Sequence, residues 1–194
     1  ISNYYENGEY PSVITIVNAS TGKLEKSLFL QYSDGTDYTG HAGGITCSDD
    51  HIYISSDSQC FTISIEAIIS AENLESVKFE SNFKLNTKGS FAAYSDGIIW
   101  FGDFIESTDD ERQKSERITT LENGETFYAY CEGYILEDGL PKLKSINTNK
   151  DGYIPDYFIA IPEQVQGMSF SKTGRVIFST SYGRKNNSVI YIFE

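Results

Sequence analysis

A histidine set among glycines is the residue of this sequence whose type and surroundings best fit chemistry. His41 lies in the segment Gly40–Gly44 (GHAGG), at the start of a predicted β-strand. Histidine titrates near neutrality and can act as a general base or a metal ligand, and glycines let a ligand or another backbone approach closely. We predict His41, Gly43 and Gly44 as ligand-binding residues. The alternative is that His41 caps a turn through a hydrogen bond to the backbone.

Four further residues are predicted to face the same ligand. Asp103 follows Trp100–Gly102, at a position where the other repeats have hydroxyl residues, and its carboxylate could face the channel beside His41. Capping of a turn is again the alternative. Gln166, Gly167 and Tyr182 lie in segments of the sequence repeat described below, and we predict that they also face the ligand.

One segment has the spacing of half a calcium loop. In 147–154 (NTNKDGYI), Asn147, Asn149 and Asp151 place oxygen side chains at loop positions one, three and five, and a glycine follows at position six. Position twelve is Phe158 instead of a bidentate acid. Calcium is therefore the candidate cofactor, with these three residues as predicted metal ligands. The alternative is an ordinary turn rich in Asn, Asp and Gly.

Composition excludes several classes of function. The 194-residue chain carries a formal net charge of −13, which disfavours binding to nucleic acid and to anionic membrane surfaces. No apolar run is long enough for a transmembrane helix, so no membrane insertion is predicted. The sequence has no GxSxG, HExxH or P-loop motif, and its two histidines do not suit a conventional multi-histidine metal site.

The elements that position these residues are predicted from a repeat. The segments Gly43–Ser48, Ser90–Ser95 and Gln166–Ser171 begin alike, and each precedes a polar turn and a β-rich apolar run. In the same way, Ile1–Ile16 resembles Phe178–Ile192. Units of roughly 40–50 residues with several short strands each are typical of β-propeller blades.

The repeat also predicts where a ligand would bind. A polar residue precedes the first strand of each of three units, and apolar positions follow it. Such a pattern places a polar rim above a packed interior, as expected where a ligand meets a channel. The three rim residues are His41, Lys88 and Gln164.

Cysteine usage gives no metal spacing. Cys47, Cys60 and Cys131 are odd in number and form no CxxC pair. Cys47 aligns with Tyr94 and Phe170 in the other repeats. We therefore predict that Cys47 and Cys60 are free, with Cys47 in the core.

The predicted fold is all-β, a β-propeller or propeller-like fragment of about 4–5 blades built from short antiparallel strands. Residues 1–194 are predicted to form one domain, truncated at its N-terminus within a blade, because the chain starts inside a repeat unit. Val77–Leu85 is predicted as one outer strand, and Ala67–Leu74 as the one short helical segment.

Three motifs carry a resemblance to known proteins. The segments His41–Gly44 (HAGG), Val165–Gly167 (VQG) and Ser179–Gly183 (STSYG) resemble those of a group of poorly characterised bacterial secreted or surface β-propeller-like proteins. The resemblance implies an exported protein, extracellular or at the cell surface. It carries no catalytic residue onto this sequence.

Two hypotheses of function follow. The first is a non-catalytic extracellular propeller that binds a protein, a glycan or a small ligand. The alternative is a propeller hydrolase or lyase with His41 and a carboxylate at the channel mouth. A purely structural role is the third possibility, because a fold by itself decides none of these.

Overall fold

The computed structural model describes residues 1–106, 118–142, 146–147 and 152–194. It is all-β, with 50% of residues in strands and 3% in helix, which confirms the all-β part of the predicted fold, whereas the propeller arrangement stays a prediction. The strands form several small sheets, mostly antiparallel, and none of the sheets closes on itself. In the described residues no helix is long and apolar enough to cross a membrane.

The first sheet is built mainly from the N-terminal part of the chain. Strand β1 (Ser2–Asn3) pairs antiparallel with β2 (Val13–Val17), which pairs antiparallel with β3 (Leu24–Gln31). A later strand, β7 (Ser76–Lys78), joins the far edge of β3 in parallel. The first sheet therefore has a mixed edge instead of being purely antiparallel.

The second sheet has four strands and a two-strand extension. In spatial order, its strands are β4 (Gly44–Cys47), β5 (His51–Ser56), β6 (Gln59–Ser64), β8 (Ser81–Lys84), β16 (Gly152–Tyr153) and β15 (Ile146–Asn147). The helix α1 (Ile65–Ser70) follows β6. It begins where Ser64 Oγ accepts a hydrogen bond from Ala67 N at 3.2 Å, an N-cap of the usual kind.

The predicted outer strand Val77–Leu85 is wrong as a single strand. The chain breaks at Glu80, whose backbone N–H donates to Thr62 O, so that β7 belongs to the first sheet and β8 to the second. Val77 packs in one hydrophobic cluster and Phe83 in another. The alternating pattern in the sequence could not show this, because both halves bury the same set of alternate residues.

The third and fourth sheets follow in chain order. The third contains β9 (Phe91–Ser95), β10 (Ile98–Gly102), β13 (Ala129–Glu137), β17 (Tyr157–Ile161) and the short β14 (Leu140–Pro141). A separate hairpin pairs β11 (Thr119–Thr120) with β12 (Thr126–Phe127). The fourth sheet is β18 (Val165–Phe170), β19 (Val176–Thr180) and β20 (Val189–Phe193).

Three hairpins are closed by two-residue turns with the same backbone shape. The turns are Asp57–Ser58, Asp96–Gly97 and Asp138–Gly139, and φ lies between 50° and 78° at all six residues. Positive φ at both central residues is the type I′ geometry, which matches the twist of the flanking strands. These turns fix the register of β5 on β6, of β9 on β10 and of β13 on β14.

Three hydrophobic clusters lie between consecutive sheets. The first joins sheets one and two through Leu28 and Ile54, the second joins sheets two and three through Tyr53 and Phe101, and the third joins sheets three and four. Sheets two and three are thus covered on both faces, which explains the unbroken burial of residues 53–56 in β5.

The core residues named from the repeat differ in burial. Ile54 is fully buried, whereas Ile45 and Met168 are half-buried at the margins of their clusters. All three cysteines are free, as predicted for Cys47 and Cys60, but the predicted placement of Cys47 in the core is wrong. Cys47 is the last residue of β4, and its side chain is exposed beyond the part of the strand that the first cluster covers.

Candidate functional site

A polar cleft lies where the chain enters β4 and β9. Its volume is about 340 Å³, and His41 and Lys88, both predicted for the rim, lie on its wall. The remaining lining comes from the β5–β6 turn and from the residues after Lys88. These are Ser56, Asp57, Ser58, Gly89 and Ser90. The structure therefore brings two of the three predicted rim residues to one site.

Glycines allow the two entry strands to lie side by side. A Cβ on Gly44 would clash with Ser55 Oγ and lie 2.8 Å from the backbone carbonyl carbon of Phe91. A Cβ on Gly43 would lie 3.0 Å from His41 Nδ1 and 3.3 Å from the backbone oxygen of Ser90. Both predicted glycines thus allow β4 and β9 to lie close together at one end of the cleft.

The β5–β6 turn supplies a carboxylate that the sequence analysis missed. Asp57 lies in the type I′ turn, and Ser56 Oγ donates to Asp57 Oδ2 at 3.0 Å. The turn is fixed because Ser58 N donates to Lys88 O at 3.0 Å and Leu85 N donates to Ser58 O at 2.9 Å. A signal existed in the Asp-Ser pair between two strands, since Asp is favoured in such turns.

Two buried carboxylates accept hydrogen bonds from the backbone of the segment that ends at Lys88. Asp103 Oδ1 accepts a hydrogen bond from Lys88 N at 2.6 Å. Glu132 Oε1 accepts from Asn86 N at 2.9 Å and from Thr87 N at 3.0 Å. Three consecutive backbone N–H groups therefore end on carboxylate oxygens, and both acids are completely buried. Asp103 lies outside the cleft lining, behind the loop, where it caps backbone instead of facing His41.

Glu132 makes additional contacts to the same loop. Thr87 Oγ1 donates to Glu132 Oε1 at 2.9 Å, and Asn86 Nδ2 donates to Glu132 Oε2 at 2.9 Å. Burial, and then the Glu132 charge, raises the pKa of the neighbouring Tyr134 far above its usual value. Burial first, with the Glu132 and Asp103 charges after it, also raises the pKa of the Cys131 thiol. Nothing in the sequence distinguished Glu132 from an ordinary strand residue.

Tyr38 packs beneath the side of the cleft that carries His41. Tyr38 is almost completely buried, and burial raises the pKa of its phenol to about 12 despite opposing hydrogen bonds with the Ala42 backbone and the Ser56 side chain. Its ring fills the space beside Gly40, where a Cβ would lie against Tyr38. The Gly40–Ala42 segment that carries His41 is thereby packed from below.

His41 itself is exposed at the cleft wall. Its ring meets the edge of the Tyr4 ring, with centroids 4.1 Å apart and planes at 75°. The backbone of the next residue, Ala42, has a φ of 46°, a left-handed conformation that turns the chain into β4. The second histidine, His51, is half-buried against Gly139 in a different part of the fold.

The other predicted ligand residues lie at the fourth sheet and outside this cleft. Gln166 Nε2 donates to Ser181 O at 3.3 Å, at an irregularity in the β18–β19 pairing. Gly167 leaves room for Ser179 Oγ, which would lie 3.1 Å from a Cβ there. Tyr182 is exposed, with its ring centroid 6.3 Å from that of Phe104. None of these three residues lines the cleft that contains His41.

The predicted calcium loop lies largely outside the described residues. Asn149 and Asp151 fall in the undescribed ranges, and for Asn147 only the backbone, in β15, is described. Across the residues with described side chains, no group of three or more His, Cys, Asp or Glu is placed to bind a metal ion. Calcium binding stays a prediction.

Comparisons with known proteins give no family. The sequence matches no protein-family model, and a search of curated proteins finds no significant match. The resemblance to secreted propeller-like proteins therefore stays an expectation from the three motifs.

Proposed function

We propose that this chain is a non-catalytic, propeller-like binding module that works outside the cell and holds a small polar ligand in the cleft between the entries to β4 and β9. The cleft itself carries the proposal. Imidazole, amine, carboxylate and hydroxyl side chains, mostly from the loops and the turn beside two sheets, share about 340 Å³ there. This volume is at the small end of the range of about 300–1,000 Å³ for ligand pockets.

The cleft is supported by a rigid frame, which favours binding. Its Lys88 wall is fixed through backbone hydrogen bonds to Asp103 and Glu132, and its Asp57 wall is fixed by a type I′ turn. A site whose walls are already in place costs less conformational entropy when a ligand binds. We therefore expect binding with little movement of the backbone.

The arrangement of sheets supports the propeller-like part of the proposal. Each sheet packs on the next in chain order, and β9 lies beside both β4 and β18. The pairing of β1 with β2 places Ser2 opposite Ile14, and that of β19 with β20 places Ser179 opposite Ile190. These are the residue pairs that the alignment of the two chain ends makes equivalent.

An enzyme would need a different pair of residues from the one the sequence suggested. The carboxylate that shares the cleft with His41 is Asp57, whereas Asp103 is buried behind the loop. A hydrolase or lyase would use His41 and Asp57 as its acid and base. Product formation that stops in both His41→Ala and Asp57→Asn would replace the binding module by this alternative.

A panel of ligands with cleft variants tests the proposal. The panel contains neutral oligosaccharides, uronic acid oligomers, amino acids, small dicarboxylates and short peptides, and its readout is the rise in Tm of the purified chain. A bound ligand should raise the Tm of the wild type, and Lys88→Ala should remove that rise. The matched control is Lys172→Ala, which alters an exposed lysine in the turn before β19.

Two results would overturn the proposal. One is that no compound raises the Tm of the wild type. The other is that every rise survives unchanged in both Lys88→Ala and His41→Ala, since both residues line the cleft.

A further inference from the structure

The segment between β1 and β2 lies against the cleft wall. Ser2 Oγ donates to Ala42 O at 2.8 Å, and Ser12 Oγ donates to Gly40 O at 2.6 Å. These two contacts attach both ends of the segment to the residues on either side of the cleft histidine. Between them, a Cβ on Gly8 would lie 3.9 Å from the Thr39 side chain. The segment therefore runs along the chain that enters β4.

This anchored segment carries three exposed tyrosines. Tyr4, Tyr5 and Tyr10 are 47%, 51% and 57% exposed. Tyr4 packs edge-on against His41, so the aromatic surface is continuous with the cleft. The rings of Tyr5 and Tyr10 lie 5.0 Å apart at a tilt of 53° and support each other. None of the three belongs to a hydrophobic cluster of the core.

Aromatic faces beside a hydroxyl-rich cleft fit the two kinds of surface on a sugar. A pyranose ring presents C–H groups on its faces and hydroxyls around its edge. Tyrosine offers a large apolar face with little rotational freedom to lose. The cleft offers donors and acceptors together, from Ser56, Asp57, Lys88 and Ser90.

We infer, on the basis of the function proposed above, that the ligand is a neutral oligosaccharide. One part hydrogen-bonds in the cleft, and a neighbouring part stacks on the segment that carries Tyr4, Tyr5 and Tyr10. A neutral chain is favoured because the net charge of −13 repels polyanionic glycans. A peptide is less suitable because extended peptides are usually held by main-chain groups of a strand edge, whereas this cleft is lined mainly by side chains that bear polar groups.

Titration calorimetry with defined hexamers tests the inference. The probes are cellohexaose, mannohexaose, xylohexaose and maltohexaose, with hexagalacturonate as the anionic comparison and a Gly-Ser hexapeptide as the peptide comparison. The variants are Tyr4→Ala, Tyr4→Phe, the double variant Tyr5→Ala/Tyr10→Ala, and Tyr157→Ala as control. Tyr157 is also an exposed tyrosine, but it lies on β17 and is not part of the cleft or of the tyrosine segment.

The expected result is binding of at least one neutral hexamer. Its Kd should rise about tenfold in Tyr4→Ala and in the double variant, the size of effect expected for losing an aromatic contact. Tyr4→Phe keeps the ring and should change Kd less than about twofold. Tyr157→Ala should leave Kd unchanged. Because the three tyrosines are exposed, far-UV circular dichroism should show that all variants fold.

Other outcomes separate this inference from the proposed function. A ligand of another class that needs Lys88 but not the tyrosines would leave the binding module standing and overturn the oligosaccharide. A neutral hexamer whose Kd is the same in all tyrosine variants would also overturn it. Absence of binding by any probe, here and in the ligand panel, would refute both.

Discussion

Glu132→Leu should be one of the most destabilising changes of a single polar residue in this protein. The Glu132 carboxylate is completely buried, and it accepts from the backbone N–H groups of Asn86 and Thr87 and from both of their side chains. Leucine fills a similar volume but accepts nothing. The variant therefore isolates the effect of the lost acceptors from that of a cavity.

The magnitude follows from which donors can find another partner. The Thr87 hydroxyl can rotate, and Asn86 Nδ2 already lies 3.4 Å from Tyr134 OH, so these two side chains can adapt. The two backbone N–H groups cannot turn away. At about 1–3 kcal/mol for each of these two donors left unsatisfied, Glu132→Leu should lower the free energy of unfolding by about 2–6 kcal/mol. Glu132→Gln retains one acceptor and should cost about 1–2 kcal/mol.

Urea denaturation followed by far-UV circular dichroism measures these differences, provided that the m-values agree. Glu125→Leu is the control, because Glu125 is an exposed carboxylate in the turn before β12, and it should change the free energy by less than about 0.5 kcal/mol. A loss below about 1 kcal/mol in Glu132→Leu would refute the reasoning. It would mean that the loop finds other acceptors, or that the free-energy cost of burying the carboxylate cancels the stabilisation by its hydrogen bonds.

Three further predictions concern the glycine, tyrosine and cysteine residues described above. Gly44→Ala should lower the free energy of unfolding by about 1–3 kcal/mol in the same urea assay, because its Cβ meets the backbone of β9; an unchanged value would contradict the close approach. The Tyr38 phenol has a pKa of about 12 in the folded state and near 10.0 when unfolded, so stability should be intact below pH 10 and fall by roughly 2 kcal/mol as the pH rises from 10 to 12. Tyr38→Phe should make that decline shallower, and an equal slope in both proteins would exclude this cause. In native protein, Cys47 alone should react with a thiol reagent, with Cys60 and Cys131 reacting only in denaturant, because the latter two are buried and burial raises the pKa of each thiol.

The all-β class was predictable because local signals agreed with one another. Alternating and β-rich runs, few prolines and turn-forming pairs such as Asp96–Gly97 all favour strands. The assignment of strands to sheets was less predictable, as the division of Val77–Leu85 shows. Both halves bury alternate residues, and only the packing against different sheets separates them. A one-dimensional pattern records that a residue is buried but not which neighbour buries it.

Two of the seven residues that line the cleft were predicted from the repeat. His41 and Lys88 were placed together because equivalent positions in neighbouring units lie side by side when the units pack in order. Gln166, Gly167 and Tyr182 were assigned by the same argument, but they lie outside this cleft, on the fourth sheet. The repeat gives the position of a residue within its unit, and it does not give the distance between units that are not neighbours.

The roles of the carboxylates show why the site chemistry was harder to predict than the fold. Asp103, Glu132 and Asp57 are the same chemical group in three environments: two are fully buried and bind backbone N–H groups, and one lines the cleft. A carboxylate is stable in the protein interior only where hydrogen-bond donors surround it. The two buried acids therefore stabilise the loop whose N–H groups they bind. The exposed acid of the turn is the one that remains available to a ligand. Burial, which sequence alone does not give for an isolated acidic residue, therefore decides which carboxylate supports the site and which one takes part in it.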